Sequence, residues 1–148
     1  MRALIQRVTR ASVSVNGQTV GHIDAGLLVF IGLAQHDSPK IAHKMLQKIL
    51  AYRLFSDDTG RMGNSLKQTG GGLLLVSQFT LMAHTSKGLR PDFGPAMPPA
   101  EAALLFEQLL SMAKDQHPYV QAGVFGADMQ VSLVNDGPVT FMLEVNHV

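Results

Sequence analysis

Residues 135–140 read Asn135-Asp136-Gly137-Pro138-Val139-Thr140, and they interrupt two apolar segments at 129–134 and 139–145. Proline has no backbone N–H to give to a neighbouring strand, so it belongs at a turn or at the first residue of a strand. The preceding glycine lets a partner approach the backbone closely. The pattern predicts a hairpin turn between two C-terminal strands, whose backbone carbonyls are also a candidate recognition surface.

Strand patterns fill the beginning of the chain. Residues 3–8 and 11–15 alternate apolar and polar side chains, as half-buried strands do. Asn16-Gly17 is the dipeptide most typical of a two-residue hairpin, and it leads into a strand at 18–23. Residues 27–33 are continuously apolar, which predicts a strand buried on both faces.

Shorter elements are predicted in the middle of the chain. An extended segment at 53–56 is followed by a turn-rich loop at 57–65. Gly70-Gly71-Gly72 lacks the lysine and the helix that follow a phosphate-binding loop, so it predicts a hairpin connection. The strand after it, at 73–81, is apolar until polarity appears abruptly at Ser77.

Two helices are predicted, one opening at Ser38-Pro39 and the other running from Pro99 to about Lys114. Between them, residues 84–99 form a Gly- and Pro-rich segment, and loops of that length are usually functional or disordered. A short strand with a break is predicted at 119–126. With no linker or repeat, residues 1–148 are predicted to be one domain of α+β class. The predicted inward-facing helix positions are Ile41, Ala42, Met45, Leu46, Ile49 and Leu50, then Ala102, Leu105, Phe106, Leu109 and Ala113.

Composition narrows the function classes. The 148 residues carry a net charge of +1, so affinity for DNA or for a long stretch of RNA is not expected, and contact with a short RNA end is. The absence of cysteine excludes disulfides, thiol nucleophiles and thiolate metal sites. The longest apolar run, 26–34, is too short to span a membrane, and residues 1–7 alternate like a strand rather than a signal peptide. A cytoplasmic protein fits these features.

Conventional catalytic machinery is hard to assemble from this chain. The serine hydrolase elbow Gly-x-Ser-x-Gly is absent, the six histidines are scattered, and the eleven carboxylates do not form a metal-binding cluster. No metal and no cofactor are therefore predicted. If the protein is an enzyme, we expect it to use positioning, backbone donors or a group supplied by the substrate.

A second run of mainly polar residues, Ser77-Gln78-Phe79-Thr80, is the other candidate functional segment beside residues 135–140. Together the two runs resemble the signature runs of the D-aminoacyl-tRNA deacylase family, formerly called D-tyrosyl-tRNA deacylases. The resemblance covers the whole chain, because both runs occur in the family's order with matching flanks. Those flanks include residues 3–8, Gly88-Leu89-Arg90-Pro91 and residues 127–131.

The resemblance implies an α+β fold with a barrel-like, mainly antiparallel sheet and two main helices. It implies a homodimer with active sites at the interface, where a cis Gly137-Pro138 peptide enters the site of the partner subunit. The reaction it implies is hydrolysis of the ester between a D-amino acid and the 3′-terminal adenosine of tRNA. Its partners would be a second copy of the chain and the aminoacyl-tRNA acceptor end.

The same resemblance assigns roles to individual residues, and several alternatives stay open. Thr80 could attack the ester, but no base is visible to activate it, so we favour assistance by the ribose 2′-OH of the substrate. Phe79 could instead belong to the core, and Arg7 could form a surface ion pair. The predicted catalytic residues are Ser77, Gln78, Phe79 and Thr80; the selectivity residues are Gly137 and Pro138, supported by Arg7, Val139 and Thr140; candidate tRNA contacts are Lys44, Lys48, Lys87 and Arg90.

The expected selectivity for D- over L-amino acids follows from simple geometry. Inverting an α-carbon exchanges its hydrogen and its side chain, so a wall of backbone carbonyls rejects the L-isomer whatever the side chain is. Such a wall accepts many D-amino acids and does not exclude glycine. The competing hypotheses are an RNA-end binding module without turnover, a purely structural dimer, and an esterase acting on peptidyl or acetylated aminoacyl groups.

Overall fold

The computed structural model describes residues 1–146 and is built around one strand of fourteen residues, β1. The described residues form eight strands, three α-helices and one 3-10 helix. In chain order these are β1 (Arg2–Val15), β2 (Gln18–Ile23), β3 (Gly26–Gly32), α1 (Pro39–Ala51), β4 (Arg53–Ser56), β5 (Met62–Ser65), α2 (Leu66–Thr69), β6 (Gly72–Ser77), the 3-10 helix (Phe79–Met82), α3 (Pro99–Gln116), β7 (Val120–Ala122) and β8 (Gln130–Glu144).

Strand β1 has partners on both edges. Its first half pairs with β3 and its second half with β2, while β8 pairs with it along the opposite edge. The sheet continues from β3 through β6 to β7, and β2 curls back until the His22 N–H reaches the Gln121 Oε1 of β7 at 3.4 Å. The sheet is therefore a nearly closed barrel, as predicted.

The pairing directions are mixed. The three pairings of β1 are antiparallel, whereas β3 with β6 and β6 with β7 are parallel. A parallel pair needs a long crossover, and helices supply both: α1 and α2 lie between β3 and β6, and α3 lies between β6 and β7. The predicted α+β class with two main helices is confirmed.

The helices pack on one face of the sheet. Ser38 caps α1 by accepting the Ile41 N–H at 3.3 Å, and Pro39 is the first helical residue. The predicted inward positions of α1 and α3 are the buried ones. Strand β3 contributes Leu27 and Val29 to this core and Leu28 to a second one inside the barrel, so both of its faces are buried as predicted. No helix within residues 1–146 is long and apolar enough to cross a membrane.

The prediction that Gly70-Gly71-Gly72 joins two hairpin strands is wrong. The short helix α2 begins with a capping box between Ser65 and Gln68 and ends at Gly70, which has φ 71°. A left-handed residue is a common way to end a helix, and glycine adopts it without steric cost. The strand that follows, β6, runs parallel to β3 instead of returning beside its predecessor.

The loop predicted at 57–65 is half strand, because Met62–Ser65 pairs with β4 as β5. The remaining turn is organised by Asp57. Its carboxylate accepts the Thr59 hydroxyl at 2.6 Å, the Thr59 N–H at 2.9 Å and the Arg61 N–H at 3.1 Å. These hydrogen bonds, that of the Thr59 hydroxyl above all, lower the pKa of Asp57.

The Gly137-Pro138 pair is not a hairpin turn. Strand β8 runs through it and pairs with β1 on both sides, Val8 opposite Asn135 and Gln6 opposite Thr140. Residues 136–139 therefore bulge out where β1 has the single residue Arg7. We call residues 136–139 the β8 bulge. The Gly137-Pro138 peptide is cis, as predicted.

Candidate active site

The run from Ser77 to Thr80 lies where β6 ends. Ser77 is the last strand residue, paired with Ile31, and the Gln78 N–H donates to the Ile31 carbonyl at 2.8 Å. The chain then turns into the 3-10 helix, so the end of a buried strand fixes the position of all four residues. Ser77 and Gln78 are half-buried, while Phe79 and Thr80 are exposed.

Ser77, Gln78 and Phe79 line a common opening, and Thr80 is hydrogen-bonded to Gln78 beside it. The Gln78 amide donates a short hydrogen bond to the Thr80 hydroxyl. Phe79 is 60% exposed, which rules out the alternative that it belongs to the core. Its ring contacts that of Phe93 with centroids 5.0 Å apart at 59°. Thr80 thus has a neutral amide, rather than a base, as its partner.

A cleft of about 620 Å³ opens beside this run. Its wall comes from the ends of β3 and β6, from residues 93–99 with the first turn of α3, and from residues 125–131. The wall is mainly apolar, with Ser77, Gln78 and Asp128 as polar groups. This size and lining are typical of small-ligand sites, which are mostly apolar with a few convergent polar groups.

Sequence reasoning missed part of this wall. Phe93 and Met97 lie in the Gly- and Pro-rich segment, whose composition marked a functional loop without indicating which side chains turn inward. Phe125, Asp128 and Met129 follow the short strand β7, and their place on the wall had no local signal beyond the family match of residues 127–131.

The base of the β8 bulge is clamped from two sides. Arg7, 14% exposed, donates from Nε to the Asp136 carbonyl at 3.0 Å and from Nη1 to the Leu54 carbonyl at 2.8 Å. Asn135 accepts the Val139 N–H at 2.8 Å and donates to the Thr140 hydroxyl at 2.8 Å. Val139 is buried, whereas Asp136, Gly137 and Pro138 are exposed.

These contacts refine the prediction for Arg7. Its bonds go to the carbonyl that precedes Gly137, so it fixes the base of the bulge rather than the Gly137 and Pro138 carbonyls themselves. Its ion pair with Asp136, at 3.7 Å, accompanies these two carbonyl bonds.

The two signature runs are far apart within one chain. Ser77 pairs with Ile31, which lies opposite Ala3, whereas the bulge lies beside Arg7. Four residues along a strand span about 13 Å, and the three strand spacings between β8 and β6 span about 14 Å. The two runs therefore do not adjoin each other within a single chain.

The candidate tRNA contacts divide into two groups. Lys87 and Arg90 lie in the exposed segment that leads to Phe93 on the cleft wall, and they flank the fully exposed Leu89. Lys44 and Lys48 lie on the exposed face of α1, a helix that contributes no described residue to the cleft wall.

Histidines and metal ligands are not gathered at this cleft. Five of the six histidines are described, none of the five lines the cleft, and His147 lies outside the described residues. Within residues 1–146, no group of three or more His, Asp or Glu side chains could hold a metal ion. His117 is buried with its Nε2 at 2.6 Å from the Gly71 carbonyl, a structural contact.

Solved structures share this barrel. One, described as c-Myc DNA Unwinding Element Binding Protein, matches with a TM-score of 0.94 and 40% identity over 99% of both chains. Another, described as a probable eukaryotic D-amino acid tRNA deacylase, matches with a TM-score of 0.84 and 18% identity over 97% of this chain and 98% of that chain. By its fold, the chain is therefore a single-domain barrel protein with a cleft at the end of β6.

Sequence relatives give the family. A D-aminoacyl-tRNA deacylase of Acinetobacter baumannii (strain ACICU) is 60% identical over 145 residues, which is 98% of this chain and 99% of that protein. A D-aminoacyl-tRNA deacylase of Psychrobacter sp. (strain PRwf-1) is 56% identical over 146 residues, 99% of this chain and all of that protein. The family model for D-Tyr-tRNA(Tyr) deacylase matches residues 4–144. The chain belongs to this deacylase family.

We predict that Asn135→Ala destabilises the protein. It removes the acceptor of the Val139 N–H and the donor to Thr140, and two hydrogen bonds are worth about 1–3 kcal/mol together. Urea unfolding should show the lower stability, while Asn135→Asp, which can accept from both partners, should stay close to the parent protein. An unchanged unfolding midpoint for Asn135→Ala would mean that these two hydrogen bonds contribute nothing to the stability of the folded protein.

Proposed function

We propose that the protein hydrolyses the ester bond between a D-amino acid and the 3′-terminal adenosine of tRNA, releasing free tRNA and the D-amino acid. The observation that carries the proposal is the cleft at the end of β6, lined by the family run that begins at Ser77. Relatives named D-aminoacyl-tRNA deacylase that match almost the whole chain support it. The proposal includes a cytoplasmic location, where aminoacyl-tRNA is made, and no metal or cofactor.

The cleft suits the acceptor end of tRNA. Phe79 and Phe93 offer an exposed aromatic pair on which a terminal base can stack. With a net charge of +1 for the whole chain, phosphate contacts must be few and local. Lys87 and Arg90 are assigned to the phosphates nearest the cleft, and Lys44 and Lys48 to more distant ones.

The scissile carbonyl is assigned to the end of β6. The Gln78 N–H already donates to Ile31, so it is not assigned to the oxyanion. The proposed donors are the Gln78 side-chain amide and the backbone N–H groups of Phe79 and Thr80. Fixed donors aimed at a developing negative charge are a large source of rate enhancement.

Activation of the attack is assigned to the substrate. The Thr80 hydroxyl is paired with the neutral Gln78 amide, which cannot remove its proton. The ribose 2′-OH next to the ester is then the hydroxyl best placed to activate water or the ester. A Thr80 acyl-enzyme is the alternative.

We predict that a substrate ending in 2′-deoxyadenosine is hydrolysed at least about a hundredfold more slowly, the usual size of a proton-transfer contribution. The Thr80→Val variant should retain activity within about tenfold, because the threonine does not attack. Single-turnover hydrolysis measures both rates. A covalent adduct trapped on Thr80, or a full rate on the 2′-deoxy substrate, would overturn this assignment.

The selectivity wall is assigned to a second copy of the chain. Within one chain the β8 bulge lies about 13 Å from Ser77 along the strand direction and about 14 Å from it across the sheet. The tip of the bulge is exposed, and Arg7 and Asn135 hold its base. A two-fold homodimer brings the bulge of each subunit to the cleft of the other by the same contact. Carbonyls at that position reject L-aminoacyl groups by steric clash.

We predict that Gly137→Ala lowers the D-over-L ratio of kcat/KM at least about tenfold. An added Cβ would lie 2.7 Å from the Val139 Cγ2 at a residue with φ 137°, so the bulge must deform. Refolding this variant with an excess of Gln78→Ala chains should restore selectivity, because each remaining active cleft then receives an intact bulge from its partner. An unrestored ratio, or a monomer by light scattering, would contradict a wall supplied by the partner.

We also predict that glycyl-tRNA is hydrolysed within about tenfold of D-alanyl-tRNA, since glycine has no side chain to clash, and that L-alanyl-tRNA is at least about a thousandfold slower. Ester loss from the three substrates measures this. Glycyl-tRNA as inert as L-alanyl-tRNA would exclude rejection by clash. Binding of all three without ester loss would favour an RNA-end binding module.

A further inference from the structure

A second, smaller pocket lies on the outer face of the sheet. Its volume is about 140 Å³, and it shares no lining residue with the cleft. Strand register explains how it is built, because Ser12 of β1 pairs with His22 of β2 on one side and with Ser132 of β8 on the other. Arg10 lies two residues before Ser12, and Ala11 between them is buried inside the barrel. The four polar side chains therefore point outward from one patch of three strands.

The Arg10 guanidinium is a positive charge without a partner in the described part of the chain. The other two arginines of β1 are both bound, Arg2 to Glu144 and Arg7 to the Asp136 carbonyl. The Arg10 side chain forms no hydrogen bond or ion pair with any of residues 1–146. It is therefore available to an anion from outside the chain.

The rest of the lining supplies hydrogen-bond donors and no carboxylate. The hydroxyls of Ser12 and Ser132 can rotate to donate, and the His22 ring is 59% exposed. The nearest carboxylate is that of Asp24, 3.6 Å from the His22 Nε2, but it is 93% exposed and does not line the pocket. A guanidinium matches a phosphate group through two parallel hydrogen bonds. Because the pocket is smaller than the sites that hold drug-sized ligands, it suits one phosphate group rather than a whole nucleotide.

The pocket lies beside the β8 bulge. Val134 lines the pocket, and the next residue, Asn135, holds the base of the bulge. Gly137 is three residues from Val134, which is at most about 11 Å along the chain. In the homodimer proposed above, the bulge enters the cleft of the partner subunit, so this pocket comes to the rim of that cleft. The RNA strand that leaves the cleft carries a negative phosphate at every nucleotide.

We propose that this pocket binds a phosphate group of the tRNA whose aminoacyl end lies in the cleft of the partner subunit. Arg10 is the main contact, and Ser12, His22 and Ser132 add hydrogen bonds. Each active site then takes from its partner a phosphate contact as well as a selectivity wall. The role in substrate binding rests on the deacylase function and the dimer proposed above.

Inorganic phosphate tests the pocket without tRNA. At fixed pH and ionic strength, it should cause a saturable shift of the His22 imidazole NMR signals in the parent protein. Arg10→Gln, which removes the charge, and Ser132→Asp, which places a carboxylate in the pocket, should weaken this binding at least about tenfold. Lys67→Gln, which removes an exposed charge on α2, is the matched control and should bind as the parent does. No saturable shift in the parent, or an equal response in Arg10→Gln, would overturn the proposal.

Kinetics test the role in substrate binding. Arg10→Gln should raise KM for D-aminoacyl-tRNA about tenfold and leave kcat within about twofold, because a phosphate contact remote from the ester holds the ground state and the transition state equally. The slope of log KM against log salt concentration should fall by about one. Lys67→Gln should leave KM within about twofold. A parental KM and salt slope in Arg10→Gln would contradict the proposal.

The same comparison identifies which phosphate is bound. It is repeated on tRNA with and without its 5′-phosphate. An Arg10→Gln effect that disappears on the dephosphorylated tRNA assigns the pocket to the terminal 5′-phosphate, and an effect that persists assigns it to a phosphodiester of the RNA chain. Both results support a phosphate site.

Mixed dimers decide which cleft the pocket serves. Arg10→Gln chains refolded with an excess of Gln78→Ala chains should regain the parental KM, because each active cleft then lies beside an intact pocket of its partner. Parent chains refolded with an excess of chains that carry both changes should show the raised KM. The reverse pattern would mean that the pocket serves the cleft of its own chain, and would overturn the assignment to the partner.

Failure of the proposed function is distinguishable from failure of the pocket. If the protein does not hydrolyse D-aminoacyl-tRNA, or if Gln78→Ala retains full activity, the function or the cleft assignment fails. The phosphate titration, together with tRNA affinity measured by fluorescence anisotropy in Arg10→Gln and Lys67→Gln, still decides the pocket. Equal tRNA affinity in these two variants would overturn it.

Discussion

The pairing of β1 with β8 on both sides of Arg7 is the constraint on which the proposed site depends. Because Val8 lies opposite Asn135 and Gln6 lies opposite Thr140, four residues of β8 must leave the sheet where β1 has one. Sheet hydrogen bonds hold the two ends, while Arg7 and Asn135 hold the base. A loop at a strand end would lack this support, and the exposed Gly137-Pro138 tip owes its fixed position to it.

The other half of the proposed site depends on a parallel pairing. Register between β3 and β6 places Ser77 beside Ile31 at the end of a strand that is buried on both faces. The chain can turn there only by leaving the sheet, which it does through the 3-10 helix that carries Phe79 and Thr80. Neither half contains a base next to a nucleophile, so the proposed chemistry relies on fixed donors and on the substrate.

Much of the fold could be predicted from local patterns. The Asn16-Gly17 hairpin, the Ser38 cap and the inward faces of both main helices depend on neighbours within a few residues, and all were predicted correctly. Two of the errors share one cause: Gly70-Gly71-Gly72 and Gly137-Pro138 were both assigned to hairpins. Glycine and proline show that the chain leaves regular structure, but whether it turns back depends on which strand the next segment joins.

The sequence by itself determined the family, through two runs in the right order. Only the tertiary structure decided that the 135–140 run is a bulge, that Phe79 is exposed and that residues 125–131 complete the cleft. These are contacts between residues distant in the chain. No local pattern encodes them, because each is set by packing and strand register, which are properties of the whole sheet.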